Sequence, residues 1–436
     1  MINDLKEFIA IDSTLAPKSS IDAPFGKNLR NVLDLFLNKA SSYGLKVGED
    51  NGFYGWADYG DPNKPIIGIL CHADIVPCGE GWDTNPLELA EKDGVLYGRG
   101  VADDKGALAV MLHLLKRFKE EKLSLNHRVR LIVGLNEESG SACIKRYAKY
   151  QEIPRISLVP DADFPVINSE KGILHSLCTM TLPDAVKQNI FAFNAGQRAN
   201  IVPDRAEFVV SEAYYNTIVS SVSNQMDFSV KKIDEHYHFV VTGVSGHASA
   251  PNKCDNAIFK AIYLLSFADE FFAQLYKNAC SYSCNLYNSL WATDKSGDLT
   301  FNIGVATLDN VTLSLIYDFR LPLCVSKKAV CSTLEKYYQS VTIIQYSPNL
   351  FIPEDTPLIK TLLSVYRSIT RNNRAKPLQI GGGTYARELP NAVAFGPTFS
   401  GRETNIHNRN ECIPLSDLIK LSEIYYKAII ELDKLI

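Results

Sequence analysis

Apolar residues recur along this chain in two rhythms. Residues 28–45 (NLRNVLDLFLNKASSYGL) carry them at three- and four-residue spacing and end near a glycine, which predicts an amphipathic helix. The same spacing after Lys105 (KGALAVMLHLLKRFKEEK), over 357–370 and from Leu415 predicts three more helices. Residues 66–71 (IIGILC), 129–135 (VRLIVGL), 156–159 (ISLV) and 392–397 (AVAFGP) are instead nearly solid apolar runs, the pattern of strands buried on both faces. Each run feeds a polar stretch: HADIVP, NEESG, PDAD and a loop containing His407. In open α/β sheets, sites form outside the carboxyl ends of the strands, so these four loops are candidates for one cleft.

From about residue 171 to 349 the pattern becomes alternation, as in AEFVVSEAY, YHFVVTGVS and LSLIYDFRL, with helical stretches over 256–278 and 327–339. Strands mixed with a few helices predict an α+β insertion. The expected architecture is therefore α/β. A catalytic domain with a mixed β-sheet flanked by helices is formed by 1–170 and 350–436, and 171–349 is inserted between its parts.

With 436 residues, 46% hydrophobic and 22% charged, the chain has an ordinary globular composition, long enough for more than one core. A net charge of −4 gives no basis for nucleic acid or an anionic membrane as partner. No apolar run reaches the roughly 18 residues of a membrane span, and the first residues (MINDLKEFIAIDS) lack a basic leader with an apolar core. The ten cysteines show no CxxC spacing or scaffold density, which points to a reducing cytoplasm.

The densest chemistry lies at 98–106 (GRGVADDKG), where Asp103 and Asp104 meet a predicted helix start. Aspartates there also serve as helix caps. Placed beside the other loops, however, Asp103 joins His72, Glu138, Asp161 and His407 in a set of imidazoles and carboxylates suited to divalent zinc, cobalt or manganese. Five such groups exceed one tetrahedral zinc, and a carboxylate shared between two ions would let them serve both. The residues alone leave open a core histidine, helix caps and surface acids.

HADIVP, GRGVADDKG, NEESG, PDADFP, SGHASAP, GGGTYAR and the stretch GRETNIHNRNE occur in this order. Together they resemble the dinuclear metallohydrolase family of carnosinases, aminoacylases and desuccinylases, most closely its PepV-type bacterial dipeptidase branch. The resemblance implies a zinc-peptidase-like catalytic domain with an inserted lid, and two divalent ions per chain, zinc first, manganese or cobalt otherwise. Asp103 would bridge the ions, His72 and Asp161 would complete one site, and Glu138 and His407 the other. It also implies a cis peptide bond between Asp103 and Asp104.

Glu137 matches the general base and Asp74 the acid that orients a ligand or tunes Glu137. His247, in SGHASAP, matches a donor to the oxyanion of the tetrahedral intermediate. Asn200 and Arg320 match substrate-binding positions, and Gly381, Gly382 and Gly383 would let backbone approach the substrate closely. Asp at position 161 resembles the peptidases that act on free amino termini, where acylase relatives generally have Glu. The long insertion resembles the enlarged lid of monomeric dipeptidases. The expectation is a cytoplasmic, monomeric metallodipeptidase acting on unblocked dipeptides. An N-acyl amino acid amidohydrolase of the same family is the nearest rival, and a non-catalytic metal-binding protein the rival of another class.

Overall fold

A computed structural model describes residues 1–222 and 227–435. The chain divides into two compact units: Met1–Ser169 with Ile352–Leu378 and Thr384–Ile436, and Glu170–Phe351 with Gln379–Gly383.

The first unit is built on a mixed sheet. Seven of its nine strands are, in spatial order, Lys46–Glu49, Tyr54–Tyr59, Arg128–Gly134, Ile66–His72, Ile156–Val159, Ala392–Ala394 and Ile167–Glu170. Ile66–His72 lies parallel to Arg128–Gly134 on one side and to Ile156–Val159 on the other, and Ala392–Ala394 lies parallel to Ile156–Val159. Every residue of the two central strands is buried, which is why their sequences read as unbroken apolar runs. Because these four strands run the same way, their carboxyl ends share one edge. His72 is the last residue of its strand, and the loops carrying Glu137, Glu138 and Asp161 leave from that edge.

The helix Lys105–Glu120 buries Gly106–Leu112 continuously, together with Leu114, Leu115 and Phe118, and so is more enveloped than its amphipathic spacing suggests. The closing helix Leu415–Leu435 buries Leu418, Leu421, Tyr425, Ile429 and Leu432 on one stripe.

The second unit is α+β. Its eight-stranded antiparallel sheet runs Phe228–Ile233, His236–Thr242, Arg205–Val210, Ile190–Ala195, Thr300–Asp309, Thr312–Leu321, Gly172–Thr181 and Ser340–Ser347. The apolar sides of these strands and of the helix Ala257–Leu265 form one continuous core. The single helix expected over 256–278 is two, Ala257–Leu265 and Glu270–Ala279. Asp269 breaks it: its carboxylate accepts the Phe271 N–H at 2.8 Å and starts a new helix. Likewise AEFVVSEAY is a strand only as far as Val210; Ser211 then caps the helix Glu212–Ser221.

Gln379–Gly383 groups with the second unit and not with the segment 350–436 to which the sequence pattern assigns it. The Lys171 N–H donates to the Ile380 carbonyl, and the Arg320 guanidinium donates to the Gly381 carbonyl at 2.9 Å. Among the described residues, no helix is long and apolar enough to cross a membrane.

Candidate active site

In the first unit, sequence-distant side chains meet at the shared strand edge. His72 Nε2 lies 2.8 Å from Asp103 Oδ1 and 3.8 Å from Asp161 Oδ1. On the other carboxylate oxygen, His407 Nε2 lies 3.0 Å from Asp103 Oδ2 and 2.9 Å from Glu138 Oε1. The five donors thus form two triads that share Asp103, namely His72, Asp103 and Asp161, and Asp103, Glu138 and His407, with the ligand atoms of each within 4.8 Å of one another.

The surroundings hold these groups in place. His72 is fully buried, and its Nδ1 lies 3.0 Å from the Asp74 carbonyl, so the carbonyl accepts the Nδ1 proton and fixes the ring with Nε2 toward Asp103 and Asp161. The Asp74 carboxylate accepts the Glu137 N–H and the Glu138 N–H, one on each oxygen, both at 3.0 Å. Asp74 thereby links the His72 turn to the loop that carries the two glutamates. The Tyr385 ring stands edge-on to His72 with centroids 6.2 Å apart, and its hydroxyl lies 2.9 Å from Cys143 Sγ.

The helix-capping explanation of these acids fails on geometry. The helix following NEESG begins at Ala142, so Glu137 and Glu138 lie outside its first turn. Asp104 stands at the start of Lys105–Glu120 but makes no side-chain capping bond; its Oδ2 instead accepts the His72 N–H at 3.1 Å. The Asp103–Asp104 peptide bond is cis.

The electrostatics fit a cation site. Burial, then the neighbouring Asp161, pushes the Glu137 carboxyl well above its ordinary range. Burial and Asp103 raise Asp161 to about 7, and the same two causes raise Glu138. Asp103 goes the other way: His407 and His72 outweigh its burial and hold it low. Burial would lower His407, but Asp103 and Glu138 raise it to about 11. The site therefore concentrates more negative charge than its two imidazoles neutralise, and its donor set is the O/N mixture that suits zinc, manganese or cobalt.

The remaining predicted residues lie in the second unit. His247 pairs with Ile201 across a short two-stranded ladder, and the Ala248 N–H donates to the Asn200 carbonyl at 3.0 Å, so Asn200 and His247 are neighbours. His247 Nδ1 lies 2.6 Å from Ser249 Oγ and 3.2 Å from the Ser249 backbone nitrogen, so Ser249 engages that side of the ring. Gly381 packs close to this turn: a Cβ on it would come within 2.9 Å of the Ser249 Cβ. Arg320 is buried and locked in place. Its Nε and Nη2 donate to the two oxygens of Asp318 at 2.6 and 2.8 Å, and His175 Nε2 lies 3.0 Å from the same carboxylate. A Cβ on Gly382 would meet no atom within 4 Å, and Gly383 lies on the same loop.

Sequence reasoning gave no role to Glu411, four residues after His407. It is 1% exposed, and its carboxylate is surrounded by donors from the 99–103 stretch. It closes the stretch GRETNIHNRNE, but no residue chemistry there singled it out.

The chain is similar to known proteins over its whole length. A Bacillus subtilis (strain 168) relative, named "Putative dipeptidase YtjP", is 33% identical over 455 residues, covering 100% of this chain and 97% of the relative. A relative from Staphylococcus aureus (strain USA300), with a name of the same kind, is 33% identical over 99% of this chain and 97% of its own length. Human carnosine dipeptidase 1 shares the fold at a TM-score of 0.59 and 15% identity, over 99% of this chain and 96% of that one. The family description "Peptidase family M20/M25/M40" matches residues 68–431, and the chain belongs to that family.

Proposed function

We propose that this chain is a metal-dependent dipeptidase that hydrolyses unblocked dipeptides. The observation that carries the reading is the pair of donor triads sharing Asp103, beside a glutamate that Asp74 holds by its backbone. His72, Asp103 and Asp161 would hold one divalent ion and Asp103, Glu138 and His407 the other, zinc being expected first and manganese or cobalt otherwise. When bound, such ions supply Lewis acidity to the attacking water and to the scissile carbonyl.

In this reading Glu137 accepts the proton of the attacking water and passes it to the leaving amine. The burial that raises its carboxyl suits that two-way traffic, because a base of raised pKa gives the proton up as an acid later in the cycle. Asp74 keeps the glutamate loop fixed during both transfers. His247 donates its Nε2 proton to the oxygen on which negative charge develops. Arg320, held in orientation by Asp318, offers its remaining N–H groups to the substrate's terminal carboxylate, with Asn200 and the backbone of Gly381–Gly383 alongside. The ten free cysteines accord with a reducing cytoplasm as the place of action.

The deciding experiment measures amino-acid release by metal-stripped protein reconstituted separately with zinc, manganese and cobalt. Each unblocked dipeptide is paired with its N-acetyl form, the matching tripeptide and an N-acetyl amino acid. Metal-dependent cleavage confined to unblocked dipeptides is expected. Hydrolysis only of N-acyl substrates would move the chain to the amidohydrolase branch, and metal binding without turnover would make it a non-catalytic binder.

A further inference from the structure

Glu411 sits under the shared aspartate, and its contacts all point one way. Its Oε1 accepts the Ala102 N–H at 2.9 Å and the Asp103 N–H at 3.2 Å. Its Oε2 accepts the Gly100 N–H at 3.1 Å and Arg99 Nη1 at 2.7 Å. The Glu411 carbonyl also accepts the Gly98 N–H at 3.1 Å, at the end of the pairing between Cys412–Pro414 and Val95–Tyr97. One buried carboxylate thus gathers three backbone donors and a guanidinium from five consecutive residues. The last of those residues is the only donor common to both triads.

This arrangement requires an unusual backbone. Gly100 lies at φ +85°, and a Cβ there would come within 2.9 Å of Ile75 Cγ2, so the turn that aims these N–H groups inward is open to glycine alone. The turn joins the strand Val95–Tyr97, paired with Cys412–Pro414, to the helix Lys105–Glu120, and between those elements Glu411 supplies the acceptors for the N–H groups of Gly100, Ala102 and Asp103. The same short segment carries His407, whose Nε2 meets Asp103 Oδ2. Segment 407–411 therefore holds Asp103 twice: at the carboxylate through His407 and at the backbone through Glu411.

We propose that Glu411 is a positioning residue. By anchoring the backbone from Gly100 to Asp103, it fixes the aspartate so that its two oxygens face the two triads at once, and it thereby sets the affinity for the metal pair. The inference rests on the reading that Asp103 serves both ions. Groups that orient metal ligands typically account for about 10–100-fold in metal affinity.

The test titrates metal-stripped wild type, Glu411→Gln and Arg99→Met with Zn2+ and with Mn2+ against a chromophoric chelator, and counts bound ions by elemental analysis. Thermal unfolding of each stripped protein is recorded alongside. Glu411→Gln keeps the size but turns an NH2 group against at least one pair of donors. It is expected to lose about 10–100-fold in affinity, or one of two ions. Arg99→Met breaks the ion pair and leaves all three backbone bonds, so it is expected to melt lower yet bind both ions near the wild-type affinity.

A merely structural glutamate would instead leave the metal affinity of Glu411→Gln unchanged, or depress both variants alike, and either result overturns the proposal. If Glu411→Gln does not fold, Glu411→Asp decides: its shorter arm cannot reach both donor pairs, so wild-type affinity in that variant overturns it equally. Failure of the underlying reading has a separate signature, since wild type would then bind no metal pair before any variant is compared.

Discussion

At the scale of single residues, the proposed base and the proposed metal ligands stand in different surroundings. Glu137 and Glu138 are adjacent, yet only Glu138 has an imidazole nitrogen beside it, His407 Nε2 at 2.9 Å. Glu137→Gln is therefore expected to lower kcat by about 10²–10⁴-fold, the usual worth of a positioned general base. Elemental analysis should still find two ions per chain; a variant retaining full turnover would assign the base elsewhere. His247 makes a second prediction. Its Nδ1 is engaged by Ser249, with Oγ at 2.6 Å and the backbone nitrogen at 3.2 Å, so the proposed donor is Nε2. His247→Ala should lose about 10²–10³-fold in kcat, the range for one oxyanion donor, with little change in KM. Steady-state kinetics on one dipeptide separate that outcome from a binding role, which would move KM instead.

At the scale of elements, the strand Thr312–Leu321 carries a buried ion pair whose strength pH reveals. Burial pushes the Asp318 carboxyl up, but Arg320 and His175 more than offset it and hold it at about 2, below its ordinary 3.8. A carboxylate with a depressed folded-state pKa contributes its stability above the unfolded value and loses it as pH falls toward the folded one. The shift corresponds to about 2 kcal/mol. Wild type should therefore lose part of this between about pH 5 and about pH 3. Asp318→Asn, already destabilised by about 3–5 kcal/mol because it leaves Arg320 buried without its anion, should lack that component of the acid slope. Denaturant unfolding at several pH values would show it, and parallel acid slopes would refute it.

The same scale shows what the sequence made legible. Ile66–His72 and Arg128–Gly134 were readable because strands buried on both faces need no alternation, and His72 stood out as a polar residue ending an apolar run. The Asp269 and Ser211 caps were missed because each is a single polar residue inside a pattern that otherwise continues. Glu411 was harder still. Its meaning lies in a contact with Asp103, 308 residues away, and local periodicity carries no trace of such a contact. The grouping of Gln379–Gly383 with the second unit depends likewise on a guanidinium and an N–H from residues distant in sequence, Arg320 and Lys171.

At the scale of the whole molecule, the first unit is assembled from separate stretches of chain, Met1–Ser169, Ile352–Leu378 and Thr384–Ile436. The triad of Asp103, Glu138 and His407 spans that division, since His407 and Asp103 are 304 residues apart. An ion bound there would tie the last segment of the unit to the first. A ligand that binds only the folded chain stabilises it by RT ln(1 + [L]/Kd), about 2.7 kcal/mol at a hundredfold excess over Kd. The stripped protein should keep its far-ultraviolet circular dichroism, because the sheet and its buried helices do not depend on the ions, and it should melt at a lower temperature. Adding metal should restore the midpoint in a concentration-dependent way. His407→Ala leaves His72, Asp103 and Asp161 intact, so it should bind one ion and recover only part of the increment. A midpoint in wild type that does not move with metal, despite two bound ions, would mean that the unfolded chain holds them equally well. That result would be incompatible with a site whose ligands come together only through folding.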